Sequence, residues 1–175
     1  MEKASSERNP PELLDVVDEE GRVIGQATRE MCHSNPELLH PTVHFTLLDL
    51  KNRAVLLSKR NRDKKYDGGM TTFFGEHIFS GESANLALIR GVEEELGFRP
   101  MGFLSLGTKI FRYGNQKELA TFYLVTYRGE ELNFDVDEIE SLEWVPLETV
   151  KGYDDNVEEI TKYWIDRFDW EKLSY

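Results

Sequence analysis

The sequence predicts an α/β fold, a mixed β-sheet carrying helices on its faces, and three observations lead there. Short β-branched and leucine-rich segments recur between turn residues, a central segment has helical periodicity ending in glycine, and a second amphipathic segment closes the chain. Taken in order, residues 1 to 11 mix Ser, Asn, Pro and charge and read as a loose tail. LLDVVDEEGRVIGQATR reads as two short strands about a turn at Glu19, Glu20 and Gly21. PTVHFTLLDL and RAVLLSK form a second hairpin about Lys51 and Asn52. A polar loop from Arg60 to Gly69 then leads into TTFFGEHIF.

Between Gly81 and Phe98 the chain reads GESANLALIRGVEEELGF, where Leu88, Ile89, Val92 and Leu96 make one apolar stripe and Gly97 stands at a left-handed C-cap. FLSLGTKIFRYG and ELATFYLVTYR alternate as paired strands, and SLEWVPL is a further short strand. In NVEEITKYWIDRFDW the residues Val157, Ile160, Trp164 and Phe168 share a stripe that should cover the sheet. No internal repeat divides the chain, and 175 residues at 39% hydrophobic suffice for one core.

A net charge of −12 argues against nucleic acid or anionic membrane as the main partner, because both are held by clustered Lys and Arg. The longest apolar runs are too short to span a bilayer, and MEKASSERNPPEL lacks the apolar core of a signal peptide, so the expected location is cytoplasmic. Cys32, the single cysteine, has no intramolecular disulfide partner. Phe73, Phe74, Phe79, Tyr113 and Tyr123 are expected mostly in the core, although a stacked base or an apolar tail would use the same residue types.

The charges on the central helix carry the chemistry. Arg90 and Glu94 lie four apart, and Glu93, Glu94 and Glu95 crowd the last turn, where the helix dipole disfavours acids. A divalent cation held by carboxylates, with a diphosphate on its other side, compensates such a cluster.

This stretch resembles the Nudix box, G-x5-E-x7-R-E-U-x-E-E-x-G-U, with Glu82, Arg90, Val92, Glu94, Glu95, Gly97 and Phe98 in register. The resemblance implies a Nudix-type α/β/α sandwich formed as a single domain over residues 12 to 175. It also implies that Glu94 and Glu95 bind Mg²⁺ or Mn²⁺ while Arg90 holds them, with Glu82 part of the same catalytic group. Two positions depart from the pattern. Glu76 stands at the first glycine, and Gly91 replaces the glutamate that often positions or activates the attacking water in this family. Substitutes for that base would be Glu93, Glu82, Glu76 or an acid of the DVDEIE segment, Asp135, Asp137, Glu138 or Glu140.

Upstream of the box, DVVDEEGRVIGQATR and LLSKRNRDKK resemble the Nudix branch containing type I isopentenyl-diphosphate isomerase and related hydrolases. That resemblance implies His33, His40 and His77 as metal ligands, Glu118 as a carboxylate ligand, and Arg60, Lys64 and Lys65 as contacts to diphosphate. Imidazole donors suit Mn²⁺, Zn²⁺ or Fe²⁺, although each histidine taken singly also reads as a surface, capping or strand residue, and His44 matches no role. The isomerase cysteine falls at Gly75, and Cys32 lies outside the motif. The expected function is metal-dependent hydrolysis of a diphosphate linkage in a small nucleoside-diphosphate-type or related substrate. An isomerase-like enzyme and a non-catalytic diphosphate-binding domain are the alternatives, and the oligomeric state is open, a homodimer included.

Overall fold

The computed structural model describes residues 11–64, 67–153 and 156–173, so Lys65 and all of the expected tail but Pro11 lie outside the described residues. The strands are β1 (Leu13–Val17), β2 (Val23–Thr28), β3 (Leu39–Asp49), β4 (Ala54–Arg60), β5 (Thr71–Thr72), β6 (Phe74–His77), β7 (Phe103–Tyr113), β8 (Gln116–Thr126) and β9 (Ile139–Pro146). The α-helices are α1 (Arg29–Ser34), α2 (Ala84–Leu96) and α3 (Glu159–Arg167), and two 3₁₀ turns follow β9 and α3.

β1 and β2 make the expected hairpin. The main sheet runs β5-β4-β3-β8-β7, with β6 on β3 and β9 on β4. It is mixed because β3 and β8 run parallel from Leu39 opposite Lys117 to Leu48 opposite Thr126, while the other pairings are antiparallel.

The expected β3–β4 hairpin is only half formed. The two strands pair at Leu48–Val55 and Asp49–Ala54 and then separate, β4 taking β9 as partner and β3 taking β6. The segment 71–77 crosses the opening, pairing first with β4 through Thr71 and Thr72 and then with β3 through Phe74 to His77. Phe73, between the two pairings, donates its N–H to Thr161 Oγ1 at 2.8 Å, so the crossing backbone stays satisfied.

Strand alternation splits the core between the two faces. Val43, Phe45, Leu47, Tyr123 and Val125 pack under α2, whereas Phe122, Leu124, Leu57 and Trp170 pack against Ile160, Trp164 and Ile165 of α3. The helices therefore sandwich the sheet. α2 buries Ala87, Leu88, Gly91, Val92 and Leu96; Ile89, expected in that stripe, lies at its edge and is half-buried, and Gly91 takes the inward position. Gly97 closes the helix at φ 78° as expected. α3 is shorter than its sequence pattern, because Glu158 caps it by accepting from the N–H groups of Ile160 and Thr161. Val157 and Phe168 pack on the same core from outside the helix. Among the described residues no helix is long and apolar enough to cross a membrane.

Candidate functional site

Glu76 and His77 are neighbours on β6, and alternation sends them to opposite sides of the strand. Each faces a different polar cluster.

On the α2 side the guanidinium of Arg90 gathers three carboxylates. Its Nη1 donates to Glu76 Oε2 at 3.0 Å and to Glu94 Oε2 at 3.3 Å, and its Nε and Nη2 donate to the two oxygens of Glu82 at 3.1 and 3.0 Å. Nη2 also donates to the carbonyl of His77 at 2.7 Å, and the cation lies 4.1 Å from the centre of the Phe79 ring. Arg90, Glu82 and Glu94 thus meet as the resemblance implied, joined by Glu76. Glu95, which the resemblance also gave to Arg90, has no place in this fork, because Glu76 takes the remaining donor. Burial pushes its pKa up to about 7, and the charges of Glu76, Glu138 and Glu94 add to the shift. Burial also raises Glu76, against the pull of Arg90. A half-buried carboxylate crowded by other carboxylates, at the end of the helix that repels anions, fits a divalent cation.

On the other side His77 meets His33 and His40, and one ring nitrogen from each lies within 4.8 Å of the others. His33 Nε2 and His77 Nε2 are 2.7 Å apart. His33 stands in the last turn of α1, a helix capped by Thr28 Oγ1 accepting from the N–H of Met31. His40 is fully buried on β3, and its Nε2 has no hydrogen-bond partner among the described residues. Burial holds all three imidazoles below the usual histidine range, His77 down to about 3. Neutral, close-set imidazoles with an orphaned buried nitrogen also fit a cation, here one that accepts nitrogen.

Glu118 stands beside this triad, 4.0 Å from His40 Nε2. Its oxygens are already engaged by Thr42 Oγ1 at 2.9 Å, His44 Nε2 at 3.2 Å and the hydroxyl of Tyr113. Burial alone would raise its pKa, but the hydrogen bonds and charge of His44 together with the Tyr113 hydroxyl hold it well below the carboxylate range. His44 is raised in return: burial opposes its charge, and the bond and charge of Glu118 outweigh burial. The two form a buried ion pair that the sequence reading missed. Its signal was the β3 alternation, which puts Thr42 and His44 on one face and Val43 and Phe45 on the other. Thr42, His44, Tyr113 and Glu118, together with Glu76, Arg60 and Asp67, line a cavity of about 160 Å³.

The basic residues are tied down. Arg60 Nη2 lies 3.7 Å from Glu138 Oε2, and the Lys64 ammonium bonds the other oxygen of Glu138. Arg60 Nε is buried without a hydrogen-bond partner among the described residues. Asp135 and Asp137 are exposed, away from the cavity lining. Cys32 is buried among Leu14, Val16 and Ala27, and burial pushes its thiol pKa up. Phe73, Phe74 and Tyr123 are core residues as expected.

A family model described as the NUDIX domain matches residues 38–168, which include β3 to α3 and both clusters except His33. The chain belongs to the Nudix family. Relatives include an isopentenyl-diphosphate Δ-isomerase of Streptomyces griseus, 35% identical over 98 residues, covering 55% of this chain and 49% of the relative. An uncharacterized Nudix hydrolase of Streptomyces coelicolor is 34% identical over 86 residues, covering 49% and 47% of the two chains. In these matches the chain spans about half the length of its curated relatives. Among solved structures, DR0079 of Deinococcus radiodurans superposes with a TM-score of 0.73 at 20% identity, covering 89% of this chain and 98% of that one, a likeness of fold.

Proposed function

We propose that this single Nudix domain is a divalent-metal-dependent hydrolase that cleaves a diphosphate linkage in a small, nucleoside-diphosphate-type substrate. The observation that carries the reading is Glu95, half-buried among carboxylates and left out of the Arg90 fork. Glu94 and Glu95 would hold Mg²⁺ or Mn²⁺ through oxygen, the donor set both ions prefer. The ion supplies charge neutralisation on diphosphate oxygens and a polarised water. Arg90 fixes the directions of Glu82 and Glu94, so that these carboxylates reorganise little when charge develops. Arg60 and Lys64 would clamp diphosphate by exchanging Glu138 for phosphate oxygens, and Lys65 adds to the same basic segment.

The three imidazoles favour a second reading, an isomerase-like enzyme with a transition metal on His33, His40 and His77 beside Glu118. Gly75 weighs against it. A Cβ built there meets His44 Cε1 at 3.2 Å, so the place of the isomerase cysteine is partly taken by an imidazole. Cys32, buried in another cluster, offers no replacement.

The test is release of phosphate, coupled to pyrophosphatase and phosphatase, from nucleoside-diphosphate derivatives, dinucleotides and isoprenoid diphosphates with Mg²⁺ or Mn²⁺. Isomerisation of isopentenyl diphosphate is followed by NMR in parallel. Release that disappears in Glu94→Gln/Glu95→Gln supports hydrolysis. Double-bond migration without release overturns it in favour of the second reading, and neither activity, with metal and diphosphate still bound, reduces the domain to a diphosphate binder.

A further inference from the structure

Two positions break the box pattern, and they break it in opposite senses: a glycine has become Glu76 and a glutamate has become Gly91. The structure puts them in contact. A Cβ built on Gly91 would lie 2.4 Å from Glu76 Cγ and 3.3 Å from its Cβ, with Phe45 Cε1 at 3.2 Å behind. The stem of Glu76 therefore fills the volume in which a side chain at position 91 would begin, and only glycine permits it. From β6, Glu76 crosses the inner face of α2 and delivers its carboxylate to the same Arg90 Nη1 that holds Glu94, at 3.0 and 3.3 Å.

We propose that Glu76 supplies the carboxylate that the box lacks at Gly91, so that the cation site on α2 is completed by a strand residue instead of a helix residue. The two departures are then one exchange, with the acidic group kept and its point of attachment moved. This rests on the metal-diphosphate reading above. An exchange explains why Gly91 is inward-facing and buried, and why a charged side chain, only 16% exposed, crosses the helix at that point.

The experiment measures Mn²⁺ alone, by EPR titration of the free ion, on the full chain. The box contribution is the part of the binding lost in Glu95→Gln. Glu76→Gln, which keeps the volume, should weaken that part at least about tenfold, the scale on which even groups behind a metal's ligands act. Gly91→Glu alone should fold less stably than wild type without binding more tightly, because its Cβ meets Glu76. The exchange Glu76→Gly/Gly91→Glu should recover binding to within a few-fold of wild type and recover thermal stability above that of Gly91→Glu. If Glu76→Gln binds Mn²⁺ like wild type while Glu95→Gln does not, Glu76 is only a partner of Arg90 and this inference fails alone. A folded exchange variant that stays as weak as Glu76→Gln overturns it as well. If neither Glu95→Gln nor Glu76→Gln changes Mn²⁺ binding, the metal reading of α2 fails first.

Discussion

The two sides of β6 hold polar groups in contrasting ways. On the α2 side four carboxylates converge and one guanidinium ties three of them, so net negative charge remains and raises the pKa of Glu95, the one left out. On the histidine side burial strips the charge from three imidazoles, and the nearby Glu118 is neutralised by His44 instead. The first cluster would select an occupant by charge and the second by donor atom. Hard, oxygen-loving ions suit the first, and ions that accept nitrogen suit the second.

The sharpest way to break this contrast is to remove the charge. Glu94→Gln/Glu95→Gln should lower phosphate release about a thousandfold, since several kcal/mol of transition-state charge stabilisation depend on the ion. A smaller loss than that in His33→Asn, measured in the same Mg²⁺ assay, keeps the clusters distinct; an equal loss merges them.

Next in size is the His44–Glu118 pair. His44→Gln should cost about 3 kcal/mol by denaturant unfolding at neutral pH, because it leaves Glu118 buried without its cation. The signs give a window. The lowered pKa of Glu118 contributes stability above the ordinary carboxylate range, lost as pH falls through the folded value, while the raised pKa of His44 contributes stability below the ordinary histidine pKa, lost as pH rises through the folded value. The gap between wild type and His44→Gln should therefore narrow at both ends of the pH range.

On the histidine side, His33→Asn should weaken Zn²⁺ binding about tenfold or more in isothermal titration while leaving the Mn²⁺ component that depends on Glu95 in place. The smallest effect is a pH limb. A carboxylate whose pKa is raised to about 7 in the fold binds a proton there that the unfolded chain has already lost, so without metal the wild-type Tm should fall by about 2–4 °C as pH rises from the ordinary carboxylate range to about 7 and level off above it. Glu95→Gln should remove the limb, and Mn²⁺ should flatten it in the wild type.

Much of this was legible from residue order. The β1–β2 turn, the stop at Gly97 and the burial of Leu88, Val92 and Leu96 follow from local pattern, and the box register placed Arg90 beside Glu82 and Glu94. What escaped was set by partners distant in sequence. Nothing near Thr71 to His77 announces that the segment changes partner strand halfway, and a short helix such as α1 has too little periodicity to separate from a loop. Gly91, not Ile89, lies inside the stripe, and the space a side chain there would take is filled by Glu76, fifteen residues earlier. His44 had no role in any motif, and its role depends on Glu118, on the neighbouring strand β8 but 74 residues away in sequence.

The pairings of β3 with β6 and with β8 also govern when the histidine cluster and its neighbour Glu118 come together at all. His40 sits opposite Glu118 in the β3–β8 ladder, and the chain between them must close before the pair can form, whereas the β1–β2 hairpin closes locally. Short-range ligand spacings let an ion organise an unfolded chain; His33, His40 and His77 come from α1, β3 and β6 and converge only after the long-range sheet is built. An ion taken up there is a ligand of the finished fold. At a hundredfold excess over its Kd it would add about 2.7 kcal/mol to stability by mass action, slowing loss of the native state without hastening its arrival.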